Sequence, residues 1–160
     1  MLYEEYQIDF SLTINNRGSS GPHGVIRLTN TNTNVDGPGD AIPLFQIYAN
    51  LKGVWLIATR NSANKIKKQK GLSQVLDKNQ KKNVQIKQVV GAGGYNLVLT
   101  YDGAELINEV SKTGPPIEFT NVNVLVSDSF TPALPAVMED LVISKSKCMI
   151  SSTLSRISNL

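Results

Sequence analysis

Two aspartates, Asp36 and Asp40, flank Gly37-Pro38-Gly39 at the end of a polar run in which Asn30, Asn32 and Asn34 alternate with threonines. Carboxylates, side-chain amides and loop carbonyls are the oxygen ligands that Ca²⁺ takes, so Asp36 and Asp40 are a candidate calcium pair. The same residue types cap tight turns, and the spacing fits no defined calcium loop such as the EF-hand. Asn32, Asn34, Asp36 and Asp40 together are the candidate ligand-contacting residues, because amides and carboxylates on a displayed loop hydrogen-bond hydroxyls. A second constellation is cationic. Arg60, Lys65, Lys67, Lys68, Lys70, Lys78, Lys81 and Lys82 stand against Asp77 alone, a local excess of seven that leaves −4 for the rest of a chain whose net charge is +3. Lys65, Lys67, Lys68 and Lys70 are its densest part and a candidate site for a sulfated or other polyanion. Lysine-rich hairpin tips also serve solubility and edge protection. The third constellation is acidic: a retaining glycosidase needs two carboxyl groups about 5 to 5.5 Å apart. Its nearest match is Glu105 with Glu109, whereas Glu139 and Asp140 are adjacent and face opposite ways on a strand.

Other chemistries lack their reagents. One histidine, His23, and one cysteine, Cys148, cannot build a Cys/His zinc site, a disulfide framework or a nucleophile-base pair. His23 follows Pro22 in a glycine- and proline-rich stretch and reads as an exposed loop residue. Cys148 reads as a free thiol or as the partner of a cysteine elsewhere. Trp55 lies in the apolar run Gly53 to Ala58, which favours a core role over a sugar-stacking platform. The Gly91-Ala92-Gly93-Gly94 run precedes a period-two segment rather than a helix, so it is no phosphate loop. The lysine cluster has no interleaved aromatics for base stacking, which argues against specific nucleic-acid binding. No apolar run is long enough to span a membrane, and Glu4 and Glu5 stand where a secretory signal carries basic residues, so a soluble, mature or excised domain is expected.

The elements that must position these groups are strands. Tyr6, Ile8, Phe10, Leu12 and Ile14 alternate with Gln7, Asp9, Ser11 and Thr13, which places five apolar residues on one face. Val84 to Val90 and Tyr95 to Tyr101 alternate likewise around the glycine run, a hairpin signal, and Asp102-Gly103 is a turn dipeptide leading to the next strand. Further strands are expected at Gly24 to Thr29, Ile42 to Tyr48, Gly53 to Thr59, Glu105 to Val110, Phe119 to Ser127 and Met138 to Ser144. Only Leu72 to Leu76 and the tail after Lys147 could hold a helical turn. With 160 residues, 41% of them hydrophobic, nine or ten such strands predict an all-β fold: a single antiparallel β-sandwich over residues 1–145, followed by a tail or linker at 146–160.

The order of these segments resembles the concanavalin A-like jelly rolls, the group of legume lectins, galectins, pentraxins and laminin G-like domains. Tyr6 to Ile14 and Gly24 to Thr29 resemble its opening strands, followed by the Gly-, Asp- and Pro-containing loop Val35 to Pro43. Asn83 to Gln88, Gly94 to Gly103, Phe119 to Asp128 and Met138 to Ser144 are similar to its closing succession. The likeness runs from Tyr6 to Ser144. The galectin pattern of histidine, asparagine and arginine on adjacent strands with a stacking tryptophan is not reproduced, and the legume-lectin metal cluster has no counterpart. Glucanases sharing the sandwich place two acids on one strand at i and i+4, the spacing of Glu105 and Glu109.

The resemblance implies a lectin-like or laminin G-like recognition module without catalysis. It would be extracellular or at the cell surface within a larger protein, and would bind a glycan or a partner protein through rim loops or the concave sheet. Calcium, suggested by the Asp36 and Asp40 pair rather than by the resemblance, is the one candidate cofactor. The alternatives are a cell-adhesion or self-association domain forming a homo-oligomer, and a glycoside-active enzyme using Glu105 and Glu109.

Overall fold

The computed structural model of the chain describes residues 5–29, 44–59, 65–91, 94–111, 120–126 and 132–145. Ten strands occur in chain order: β1 (Tyr6–Ile14), β2 (Pro22–Thr29), β3 (Leu44–Tyr48), β4 (Gly53–Thr59), β5 (Lys65–Gly71), β6 (Lys81–Gly91), β7 (Gly94–Tyr101), β8 (Ala104–Ser111), β9 (Asn123–Leu125) and β10 (Ala136–Lys145). They form two five-stranded antiparallel sheets. The first, sheet A, has the order β10-β1-β6-β7-β8, and the second, sheet B, the order β5-β4-β3-β2-β9. The chain is therefore an all-β sandwich, and among the described residues there is no helix, including at Leu72 to Leu76.

Period-two alternation explains the packing. The apolar set of β1 is buried together with Val84, Ile86, Leu97, Leu99 and Ile107 of sheet A. It meets Ile26, Leu28, Phe45, Ile47, Val54 and Leu56 of sheet B in one core. Phe45 and Ile47 sit opposite Leu56 and Val54 in the β3–β4 ladder, so the two strands deliver their large side chains to the same face. The other face of sheet B is buried at β2 and β3, where Arg27, Thr29 and Gln46 are each more than nine-tenths buried and each has polar partners.

Three departures from the sequence expectation shape the surface. The lysine cluster is not a hairpin tip. Lys65–Gly71 is β5, the edge strand of sheet B, registered against β4 from Gly53↔Gly71 to Thr59↔Lys65. Its single apolar residue, Ile66, gave no alternation to read, but β4 needs a backbone partner and an edge strand tolerates lysine. The expected strand from Phe119 to Ser127 contracts to Asn123–Leu125, with Phe119 and Ser127 themselves outside the described residues. β10 begins two residues before the expected start, and β2 begins at Pro22.

His23 is a correction. It is 1% exposed on β2, and its Nε2 accepts a hydrogen bond from the Ser19 backbone N–H at 3.1 Å. Gly18 makes this burial feasible, because its φ is +78° and a Cβ there would lie 2.4 Å from His23 Nε2. Alanine at position 18 therefore meets both a left-handed backbone, which alone costs about 1 to 3 kcal/mol, and the imidazole ring. A lower denaturant midpoint for Gly18→Ala with an unchanged slope is the expected result, and an unshifted midpoint would contradict it.

Candidate functional site

The outward-facing polar residues of sheet A come into cross-strand rows. Asp9 of β1 pairs in register with Gln85 of β6, and Gln85 with Thr100 of β7; one step along, Ser11 pairs with Asn83. These residues line a groove of about 570 Å³ with Gly103 and Asp140. That volume is within the range of small-ligand sites.

The centre of the groove is an anchored carboxylate. Gln7 Nε2 donates to Asp9 Oδ2 and Gln85 Nε2 donates to Asp9 Oδ1, both at 2.6 Å. A carboxylate accepts at about four lone-pair positions, so two glutamine donors hold Asp9 in one orientation and leave positions for a ligand's hydroxyls. The glutamine carbonyls, Asn83 and Thr100 add acceptors and donors on the same surface. The outward face of sheet A carries no aromatic side chain among the described residues, so recognition there rests on hydrogen bonds rather than ring stacking.

A bulge in β10 completes the rim. The β1–β10 register shifts between Asp9 and Ser11, and Asp140 takes a left-handed φ of 56°. The Ser11 hydroxyl donates to Asp140 Oδ2 at 3.3 Å, and Lys81 Nζ reaches Asp140 at 3.1 Å and Glu139 at 3.2 Å. Alternation had placed Glu139 and Asp140 on opposite faces; the bulge instead brings both carboxylates to one ammonium. Hydrogen bonding to Lys81 holds the Asp140 carboxyl below its ordinary range, and the two acids hold the Lys81 ammonium above its own. This solvated bridge is intact between those two titrations and opens below the first or above the second.

A second bulge separates the acid pair singled out for glycoside cleavage. The β7–β8 register shifts so that Thr100 opposes Glu105 while Leu99 opposes Ile107 and Leu97 opposes Glu109. Glu105 thus shares the outward face with Asn108, whose Nδ2 donates to it at 3.1 Å. Glu109 turns to the core side at the flank and meets Lys68 of sheet B at 2.5 Å. The i, i+4 reading fails here because one extra residue on β8 reverses the facing.

Lys68 therefore ties the two sheets together along the β5/β8 flank, and Lys70 stands exposed near the end of β5. Lys65 and Lys67 lie on β5, where only their backbone is described. Trp55 is half-buried on the outward face of sheet B, not in the core; its Nε1 donates to the Tyr48 hydroxyl, and the rings meet edge to face at 6.1 Å and 78°. Asn32, Asn34, Asp36 and Asp40, the candidate rim and calcium residues, lie outside the described residues, as do Cys148 and the 146–160 tail. Among the described residues no group of three or more His, Cys, Asp and Glu could hold a metal ion, and no helix is long and apolar enough to cross a membrane.

A second groove, of about 560 Å³, runs between Leu72–Asp77 and the β7–β8 hairpin. Asp102 and Gly103 both have positive φ, the two-residue hairpin geometry that Asp-Gly favours. Lys82 bridges Asp102 at 2.8 Å and Asp77 at 3.3 Å. Tyr101, 6% exposed, forms part of the groove wall, and its hydroxyl has no hydrogen-bond partner among the described residues. Burial, reinforced by the charge of Asp77, pushes the Tyr101 phenol up to about 12. Its ordinary value is 10.0, so the unfolded chain releases this proton first, and the contribution present below pH 10 is lost as pH rises toward 12. Alkaline denaturation should begin at higher pH in Tyr101→Phe than in the parent; coincident curves would count against this reading.

No protein-family model matches the sequence, and no curated protein sequence matches it. Solved structures do. The chain aligns over 88% of its length with a structure from work on cell entry of botulinum neurotoxin type C and its dependence on two ganglioside molecules, at 15% identity and a TM-score of 0.57. It aligns equally over 88% with the botulinum neurotoxin DC binding domain in complex with rat synaptotagmin II, at 17% identity and a TM-score of 0.57. An endo-β-1,4-glucuronan lyase from the fungus Trichoderma reesei matches over 91% of this chain and 70% of its own, at 9% identity and a TM-score of 0.58. The likeness is one of fold. The chain spans about a third of the length of the neurotoxin chains it matches, 32% in both.

Proposed function

We propose that this chain is a non-catalytic recognition module, a jelly-roll sandwich of the concanavalin A-like kind, that binds carbohydrate through the outward face of sheet A. The observation that carries this reading is Asp9, held by two glutamine amides at the centre of a groove with hydroxyl-matching groups on three neighbouring strands. Such a surface is organised before the ligand arrives, so little ordering opposes binding. Support from the comparisons is indirect: folds of this shape include a toxin whose cell entry depends on gangliosides, a toxin binding domain in complex with synaptotagmin II, and an endo-β-1,4-glucuronan lyase. In this reading the module works outside the cell or at its surface as part of a larger protein. Asn32, Asn34, Asp36 and Asp40 extend the contact at the rim, with calcium bound by the two aspartates.

The separation of Glu105 from Glu109 supports a binding role over glycoside cleavage. A glycan array run with calcium and again with EDTA, with light scattering on the same sample, tests the proposal. Selective signals on neutral or sialylated glycans support it, and loss of those signals in EDTA places calcium in the site. Signals confined to sulfated glycans would transfer recognition to Lys65, Lys67, Lys68 and Lys70. Silence from a folded protein would leave protein adhesion or self-association as the function.

A further inference from the structure

We propose that the groove between Leu72–Asp77 and the β7–β8 hairpin is a docking site for a cationic side chain, a lysine or arginine, of a partner protein. It borders the Asp9 groove at the β7–β8 turn, where Thr100 and Gly103 face that groove, but its bed is Leu72–Asp77, and it combines an apolar floor with uncompensated negative charge. Leu72, Val75 and Leu106 line it, and Val75 is 40% exposed although large and apolar. An aliphatic stem laid on these residues would leave water while its charged head stayed at the rim.

The charge at the head is set by three carboxylates. Asp77 and Asp102 share Lys82, whereas Glu105 accepts from the neutral Asn108 amide. Against Asp77, Asp102 and Glu105 stand Lys82 and Lys70, so the groove carries one net negative charge. A monovalent cation restores neutrality, whereas an anion would meet the unshared charge of Glu105.

The Tyr101 hydroxyl is the independent sign of a missing partner. Buried polar groups are almost always hydrogen-bonded, and a buried hydroxyl without a partner calls for an explanation. Tyr101 is more than nine-tenths buried in the wall of this groove, and its hydroxyl meets no acceptor or donor among the described residues. A guanidinium presents five donors in a fixed fork and an ammonium three, so either can serve the phenol oxygen and a carboxylate at once.

The test is a ¹H–¹⁵N NMR titration of the full chain with N-acetyl-arginine amide and with its neutral isostere N-acetyl-citrulline amide. The arginine compound is expected to shift the amide signals of Leu72–Asp77 and Ala104–Leu106 saturably, with the citrulline compound at least threefold weaker. Glu105→Gln should weaken the arginine compound by up to about fivefold, the upper end of an exposed ion pair's contribution. Tyr101→Phe should weaken it as well while the chain stays folded, a result that a purely structural hydroxyl would not produce. Four results would each overturn the proposal: equal response to both compounds, shifts confined to the Asp9 face, no response, or an affinity untouched in either variant. Because Asp9 and Ser11 of β1 and Gln85 of β6 line only the Asp9 groove and report separately from Leu72–Asp77 in the same spectra, failure here is distinguishable from failure of the carbohydrate reading.

Discussion

Replacing Asp9 by asparagine is expected to weaken glycan binding by about 10- to 150-fold, the equivalent of the 1.5 to 3 kcal/mol that a hydrogen bond to a charged group contributes. The substitution keeps the shape and removes the charge. In the parent, both Asp9 oxygens accept from glutamine amides at 2.6 Å. Asparagine offers one oxygen and one NH₂, so one of Gln7 and Gln85 faces a donor and must rotate its own amide away. The groove then loses its fixed acceptor and the orientation of a neighbour together. Affinity for whichever glycan the array identifies would be measured by calorimetry, beside the thermal midpoint of the variant. Unchanged affinity in a folded Asp9→Asn would remove this face from the site. Gln85→Ala is the companion variant, and its effect should be non-additive with that of Asp9→Asn because the two share one hydrogen bond.

The largest expected stability effect belongs to Phe45. It is fully buried on β3, opposite Ile26 on one side and Leu56 on the other, where both sheets contribute to the core. Truncation to alanine removes a ring from a packed interior and leaves a cavity that β2 and β4, fixed by their ladders, can close only in part. The expected cost is about 3 to 5 kcal/mol, a fall in Tm on the order of 10 °C. Chemical denaturation should show a lower midpoint at constant slope. A loss under 1 kcal/mol would mean that the core relaxes more freely than its strand pairing suggests.

Much of the framework could be read from residue order, for identifiable reasons. β1 shows in the alternation of Tyr6 to Ile14, β6 and β7 in theirs, and the turn at Asp102-Gly103 in its residue types. Each is a local signal. β5 gave none, since its lysines and Gln69 leave only Ile66 to mark a face; it forms because β4 offers an unpaired edge. The site was hidden for a related reason. Asp9, Gln85 and Thr100 were visible as polar alternates of three strands, but their row depends on a register set by tertiary pairing. The two bulges were hidden as well, and they decided the most: one separated Glu105 from Glu109, the other joined Glu139 and Asp140 at Lys81. A single uncounted residue reverses a face, and alternation has no means of announcing it. His23 misled in the same manner, since its glycine- and proline-rich surroundings look like a loop but make the room in which the ring is buried.

The pairing of β1 with β10 has a consequence for how such a sandwich can be carried by a longer polypeptide. Tyr6 stands opposite Lys145, so the first and last strands enter and leave the sandwich side by side at one corner. A host protein could open a surface loop, admit the whole unit there and close again without stretching its own backbone, the arrangement that favours domain insertion and circular permutation. The same neighbourhood makes β1 and β10 mutually dependent: removal of the edge strand β10 would strip β1 of one of its two ladders and leave its nine residues as the new edge of sheet A. A cut within β10 would therefore open sheet A from its edge, baring β1 and then the core behind it.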